Sequence, residues 1–512
     1  MKLRPRVALA ALITAAALVL AGCSASGSSG STNVAATGGT LTIGTVVDVK
    51  SFDPAQAHLG HYVQYDQPVY DSLIRRKPDG TPVPMLATKW SYNSDNTQLT
   101  LDIRKGVTFS DGTPVDANAV KLNLDRFRSG NGPDASTMAL VTGVEATDAS
   151  TVVITLKEPD PALIDYLGNE DSFIASPKAI AAGHIATDPV GSGPYVYDAS
   201  ASVPGSKYTF TKRKGYWDPS LQVYNQIVVK PITDTTAMLN AFLSGQVDAA
   251  LLTPKTAAQA KSAGNTEYDY GTDWYGLFLF DRDGTMTPAL KNVKVRQAIN
   301  YAIDKAAILK QVEQGKGELT SQILPPGVPG YDKALDTAYS YNPTKAKQLM
   351  SEAGYANGFT LTMPTSSGAI DPALTAAVGQ YLKNIGITVN WENVAISNFI
   401  ADLTGAKYAA SWFQEAQGTA WYTSQVELTP NAIYNPFHTA DPQVESLVHD
   451  VQYGSTAQQA SAATQLNKYI VNQAWFAPFF RPDQVFFTNK TTTVTPQARQ
   501  AVPSIYYYAP KK

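Results

Sequence analysis

Two segments of this chain follow a strand–helix–strand grammar, and that pattern limits the architecture more than any other feature. In the first, Ile227 to Ile232 reads as a strand, and Asp234 offers an N-cap to a helix with Met238, Leu239, Phe242 and Leu243 on one face. Gly245 supplies a left-handed stop before a second strand over Val247 to Leu252. In the second, Phe359, Leu361 and Met363 alternate as a strand. Asp371 and Pro372 then open a helix with Leu374, Ala377, Val378, Tyr381, Leu382 and Ile385 on one face. Gly386 ends it, and Ile387, Val389 and Trp391 alternate again. Each unit fits a right-handed crossover between parallel strands. They lie roughly 130 residues apart, too far for one compact repeat but suited to two separate α/β lobes.

The stretch before the first unit reads differently. Leu99, Leu101 and Ile103 alternate, as do Val152, Ile154 and Leu156. Ser110-Asp111-Gly112-Thr113-Pro114 is a turn, followed by a helix in which Val120, Leu124 and Phe127 share a face. A smaller α+β insertion is therefore expected between about Pro84 and Asp188. A helix is also predicted from Val293 to Lys310, with Asp304 and Lys305 on its solvated outer face. The length of 512 residues agrees with roughly three domains.

Charged residues make up 16% and the formal net charge is −3, which argues against a nucleic-acid binder, whose footprint is a basic excess. The one cysteine, Cys23, excludes an intrachain disulfide and a cysteine-ligated zinc site. It stands at the end of a leader. Lys2, Arg4 and Arg6 form a positive n-region, and Val7 to Leu20 is an apolar run suited to a secretory h-region. Leu20-Ala21-Gly22-Cys23 is similar to a bacterial lipobox, in which the thiol is acylated and cleavage leaves Cys23 first. Residues 24–39 are rich in Ser, Gly, Thr and Ala and read as a flexible tether.

Catalytic signatures give no positive lead. The five histidines start no two-histidine zinc helix, and no phosphate loop, nucleophile elbow or dinucleotide fingerprint occurs. Gly191-Ser192-Gly193-Pro194-Tyr195 is a Gly cluster, but Pro194 removes an amide that a phosphate cradle would use, so it reads as a tight bend returning to a sheet. His58-x-x-His61 could place two imidazoles on one helical face, yet no acidic or cysteine cluster completes a coordination set. Aromatic runs are more telling: Asp273-Trp274-Tyr275, Trp412-Phe413, Trp421-Tyr422 and Tyr506-Tyr507-Tyr508. Adjacent strand residues point to opposite faces, so some of these rings must meet a second layer, a cleft or solvent.

Ordered blocks along the chain resemble the large extracytoplasmic solute-binding proteins of peptide/nickel-type ABC importers, bacterial solute-binding protein family 5. They begin with Ser51-Phe52-Asp53-Pro54, Val69-Tyr70-Asp71-Ser72-Leu73 and Pro84-Met85-Leu86-Ala87-Thr88-Lys89-Trp90. Leu101 to Val107 and Phe109 to Val115 form the most distinctive block. Gly191 to Tyr195, Val295 to Ile299, Tyr301 to Asp304, Tyr341 to Lys347 and Glu352 to Tyr355 follow in order. The similarity runs from about Gly39 to Tyr508.

The resemblance implies an α/β, two-lobed periplasmic-binding-protein-like fold with an inserted third α+β domain and a hinge-closed cleft. The expected divisions are a signal peptide over 1–22, a tether over 23–39, lobe I over 40–84, 188–273 and 480–512, the insertion over 85–187, and lobe II over 274–479. In peptide-binding members a Trp precedes, by three positions, an Asp that pairs with the ligand's amino group. Trp412-Phe413-Gln414-Glu415 keeps the Trp and an acid, with Glu for Asp and no following acidic-Pro motif. Similarity also puts Trp274 and Tyr275 at one cleft wall and the His58–His61 segment at another, with Trp421 nearby. The expected role is a lipid-anchored, extracytoplasmic substrate-binding protein, held at the cell membrane by Cys23 and delivering cargo to an ABC permease and its ATPase. An oligopeptide is the expected cargo; an oligosaccharide or other neutral solute is the alternative, stacked on Trp faces with Gln414 and Gln417 bonding hydroxyls, and a secreted hydrolase is a third reading. Neither an enzyme activity nor a cofactor, metal or nucleic acid is expected, and the chain is expected to be monomeric.

Overall fold

The structure, a computed structural model, describes residues 38–58, 60–366 and 370–511. The leader, the lipobox, Cys23 and the tether up to residue 37 lie outside the described residues.

The first crossover unit forms, with an addition the periodicity does not reveal. Strands Gln226–Pro231 and Ala249–Leu252 are parallel, but Thr40–Thr45 lies between them and pairs with both. The linking helix, Thr235–Leu243, starts where the Asp234 carboxylate accepts from the Ala237 backbone N–H at 2.7 Å. It buries Met238, Leu239 and Phe242 on the sheet, with Phe242 edge-on to Phe487 at 6.0 Å. The second unit pairs Phe359–Thr365 directly with Ile387–Asn393, parallel, around the helix Pro372–Lys383.

One strand ties the halves together. Phe476–Thr488 pairs through its C-terminal part with Ala249–Leu252 and Thr266–Gly271, and through its N-terminal part with Asp273–Leu279. Asp273–Leu279 takes Ala410–Ala416 on its other edge. Residues 271–273 and 481–484 join these two sets of pairings, and we call this the crossing. Nearly the whole long strand is buried, and only Asp483 and Gln484 are partly open. That opening is at the crossing.

The insertion is an antiparallel sheet in the order Ala87–Tyr92, Gln98–Ile103, Thr151–Leu156, Val141–Asp148. The expected alternation appears as burial: Leu99, Leu101, Val152 and Ile154 are enclosed beneath helix Ala117–Ser129. Separate apolar cores fill this sheet, the lobe I sheet around Phe210 and Phe486, and lobe II around Trp274, Phe278 and Phe480.

Two details sharpen or correct the sequence reading. The Gly191–Tyr195 bend leads into the strand Tyr195–Tyr197, and its glycines are required by contact. A Cβ on Gly193 would stand 2.4 Å from the Val69 carbonyl carbon, and the Gly193 N–H donates to that carbonyl oxygen at 2.7 Å. The helix expected over Val293 to Lys310 is instead two, Val293–Ala302 and Lys305–Val312. Ile303 is extended, and the Asp304 carboxylate caps the second helix through the Ala307 N–H at 2.9 Å. Nor is Lys305 on a solvated face. Its buried ammonium donates to the Thr320 carbonyl at 3.1 Å and Ser321 Oγ at 2.9 Å, and burial pushes its pKa down to about 7.

Candidate functional site

A cavity of about 310 Å³ opens where the strands cross between the lobes, a volume at the small end of solute sites. His61, Arg76, Gln484, Arg499 and Gln500 line it from lobe I, and Asp165, Tyr166 and Asn169 from the insertion. Thr272 and Asp273 come from the crossing itself, and Gln417, Thr419 and Tyr422 from lobe II. The loop after strand Ala410–Ala416 is held in place by backbone: the Gln417 N–H donates to the Thr272 carbonyl at 2.9 Å. Across the crossing, Gln484 Nε2 donates to Thr272 Oγ1 at 3.0 Å.

The register explains where the expected aromatic residues go. Trp274 is opposite Glu415, and Leu277 opposite Trp412, so each face of the strand pair carries aromatic rings. Rings pack against both faces, though Gln414 and Ala416 stay exposed. Trp274 is 0% exposed, stacked on Phe278 at 4.6 Å, and Phe413 packs edge-on to Phe278 at 5.5 Å and tilted against Tyr434 at 5.0 Å. On the opposite face Tyr275 touches Trp412 and Phe480 at 5.8 Å each, and Trp412 also meets Phe479 at 5.3 Å. Trp274 and Trp412 are thus core residues, while Tyr275 and Phe413 pack against that core and stay partly open. Trp421 is buried as well, its indole N–H donating to Asp160 Oδ1 of the insertion at 3.0 Å.

The histidine pair separates. His58 and His61 both precede the short helix Val63–Asp66, and their surroundings differ. His58 is half exposed and bonds the Asp134 carboxylate at 3.0 Å, whereas His61 lines the cavity. Burial lowers the His61 pKa, and its Nδ1 has no hydrogen-bond partner among the described residues. Among the described residues no group of three or more His, Cys, Asp and Glu side chains is placed to hold a metal ion.

Asp273 lines the cavity, and two further acids lie behind the lining. Glu415 accepts from the Tyr422 hydroxyl at 3.3 Å, and Tyr422 faces the cavity. Burial, reinforced by the charge of Asp273, pushes the Glu415 pKa up to about 7. Asp273 is raised too, by burial. Behind them Glu427 is fully buried; Trp274 Nε1 donates to its Oε1 at 3.4 Å, and burial with the charge of Glu415 holds its pKa well above normal. A cation entering here would relieve that mutual repulsion. From lobe I two guanidinium groups line the same cavity, Arg76 and Arg499, the latter paired with Asp165 at 3.1 Å. Sequence reasoning singled out Glu415 and His61, and named Tyr422 only as part of an aromatic pair. Arg76, Arg499, Asp165 and Tyr166 carried no motif, since distant parts of the chain bring them together.

Comparison with known proteins places this arrangement. The family model for bacterial extracellular solute-binding proteins, family 5 (middle region), matches residues 81–441. The glutathione-binding protein GsiB of Escherichia coli O157:H7 is 31% identical over 290 residues, which is 55% of this chain and 55% of GsiB. The chain therefore aligns with only about half the length of that curated relative. HbpA2 from Haemophilus parasuis superposes with a TM-score of 0.82 at 22% identity, over 93% of this chain and 100% of that one. DppA from Helicobacter pylori, an ABC transporter-associated periplasmic binding protein solved with the peptide STSA, gives 0.73 at 22% identity, over 93% and 99%. The family match covers most of the chain and the two-lobed fold agrees with it: this protein belongs to the bacterial extracellular solute-binding proteins, family 5.

Proposed function

We propose that the protein is the extracytoplasmic substrate-binding component of an ABC importer, and that it captures a peptide-like solute in the cavity between its lobes. The observation that carries this reading is the acidic character of one side of the cavity. Asp273 lines it and Glu415 stands behind Tyr422, whose hydroxyl it holds, so an ammonium group of a ligand would supply positive charge beside two carboxyls. Relatedness to a glutathione-binding protein supports the same ligand class. The ligand amine sits by Glu415 and Tyr422, His61 forms the opposite polar contact, and the lobes close about the crossing segments. Lobe I comprises 40–84, 188–273 and 480–512, the insertion 85–187 and lobe II 274–479, a division that three main apolar cores support in outline. Cys23 carries the lipid that anchors a monomeric receptor outside the membrane, and the closed form docks on a permease driven by an ATPase. The protein itself hydrolyses nothing.

A neutral sugar remains the second reading, favoured by Tyr166, Tyr422 and the carboxamides of Gln417, Gln484 and Gln500 around the cavity. Thermal unfolding of the purified protein with pools of two- to four-residue peptides, and separately with neutral oligosaccharides, tests the choice. Peptides are expected to add about 2.7 kcal/mol at a hundredfold excess over Kd. Stabilisation by oligosaccharides alone, or steady conversion of either pool to products, would refute the reading.

A further inference from the structure

We infer that a second cavity, on the seam between the insertion and lobe II, binds a small alkylammonium ion and is a site separate from that of the cargo. Three turns converge there and enclose about 370 Å³. Tyr92 and Asn96 come from the hairpin joining strands Ala87–Tyr92 and Gln98–Ile103, and Asp160 and Ile164 from the segment after strand Thr151–Leu156. Gln452 and Gln459 come from either side of the turn between helices Pro442–Tyr453 and Thr456–Asn472. The two cavities share no lining residue. Along the segment 160–166, Asp160 and Ile164 line this one, whereas Ala162, Asp165 and Tyr166 line the other. This site stands whether or not the cargo is a peptide.

Charge decides what this cavity takes. Asp160 is 3% exposed and is the one charged side chain among the described residues that line it. Its Oδ1 accepts from the Trp421 indole N–H and from the Ala162 backbone N–H, each at 3.0 Å, and no described residue donates to Oδ2. Burial pushes its pKa up to about 6, so at neutral pH the carboxylate is charged with no cationic partner among the described residues. A buried charge of this kind is stabilised by a cation that brings its own donors. The carboxamides of Asn96, Gln452 and Gln459 add acceptors around an ammonium head, and Tyr92 and Ile164 give a short aliphatic stem an apolar wall. A divalent metal fits worse. Calcium takes six or more oxygen ligands, and among the described residues no three His, Cys, Asp or Glu side chains are placed to hold an ion. The N-terminus of helix Thr456–Asn472 would favour an anion, but its capping box of Ser455 and Gln458 satisfies the first amides. The carbonyl end of helix Pro442–Tyr453, at the same turn, opposes its dipole. An occupant touches the insertion and lobe II together, beside the bond from Gln452 Nε2 to the Pro159 carbonyl that already spans the seam at 3.0 Å.

The test follows the Trp421 indole N–H signal by NMR in the purified protein, because that group bonds Asp160 directly. Trp421→Phe assigns it among the seven tryptophans. The protein is titrated with n-butylammonium and, separately, with n-butanol, which matches the stem but lacks the charge. Butylammonium is expected to shift the signal saturably and to bind about 10- to 100-fold more tightly than butanol, the range for a charged hydrogen bond. Asp160→Asn keeps the oxygen that Trp421 uses and is expected to cut butylammonium affinity about tenfold or more while butanol is unaffected. If Asp160→Asn does not fold, Gln459→Ala serves instead, with an expected loss of about two- to tenfold for one neutral hydrogen bond. Glu415→Gln is the control for amine entering the cargo cavity. A loss in Glu415→Gln in place of Asp160→Asn would overturn the seam site. So would the absence of a saturable shift, equal affinity for amine and alcohol, or unchanged affinity in the seam variant.

Discussion

Glu415 shows how one side chain carries both a legible and an illegible part of the site. Its place three residues after Trp412 marks it in the sequence, but its ionisation depends on Tyr422 and Asp273, which no local pattern connects to it. The carboxylate becomes fully charged only above about pH 7, so affinity for an amine-bearing ligand is expected to rise between pH 6 and pH 8. Glu415→Gln should flatten that rise and weaken the amine ligand by about tenfold or more, in line with the loss of a charged hydrogen bond. A neutral sugar tested on the same variant should change little, and calorimetry at three pH values reads both effects; equal losses for the two ligands would remove the role. Arg76 and Arg499 mark the limit of sequence reading. Nothing in the sequence distinguishes them from other surface arginines until the fold buries one and turns both toward the cavity.

The elements were more readable than the site because each is set by short-range chemistry. Asp234 and Asp371 cap the helices where they were expected to, and both crossover units are present with parallel strands. The Val293 to Lys310 run misled because apolar spacing continues across Asp304, where the cap stops one helix and starts another. The aromatic runs were legible only to the level of alternatives: strand alternation required two faces, and a second packed layer takes up Trp274 and Trp412. Trp421 illustrates what such a ring does when it is not lining a pocket. Together with Gln452, which donates to the Pro159 carbonyl at 3.0 Å, and Tyr453, which donates to Glu158 at 2.9 Å, it ties lobe II to the insertion. Trp421→Phe removes one of two donors to the buried Asp160 Oδ1, leaving the Ala162 N–H, and is expected to destabilise the protein by about 0.5–1.5 kcal/mol. Denaturant unfolding measures this, and an unchanged midpoint would show that the bond contributes nothing.

At the scale of the molecule, buried acids dominate the response to pH. Asp66, Asp71, Asp160, Asp171, Glu415 and Asp483 have pKa values pushed up to between about 6 and about 8, chiefly by burial. The folded state therefore holds more protons than the unfolded chain between about pH 4 and pH 8, and stability falls as pH rises through that window. Lys305 and His61 act in the opposite sense but are fewer. The melting temperature of the ligand-free protein is accordingly expected to be higher at pH 5 than at pH 8; a rise over that interval would contradict the burial these carboxyls show. On the proposed reading, capture of an amine-bearing ligand is expected to restore stability near neutrality, because an ammonium beside Glu415 and Asp273 would favour their charged forms. The claim on which the account rests is that a peptide-like solute is held between the lobes and released unaltered. Native mass spectrometry of the purified protein with a mixed pool of free peptides tests it most directly. One peptide per chain, ejected at its original mass and lost in Glu415→Gln, is the predicted result; cleavage products, or retention of neutral oligosaccharide in place of peptide, would contradict it.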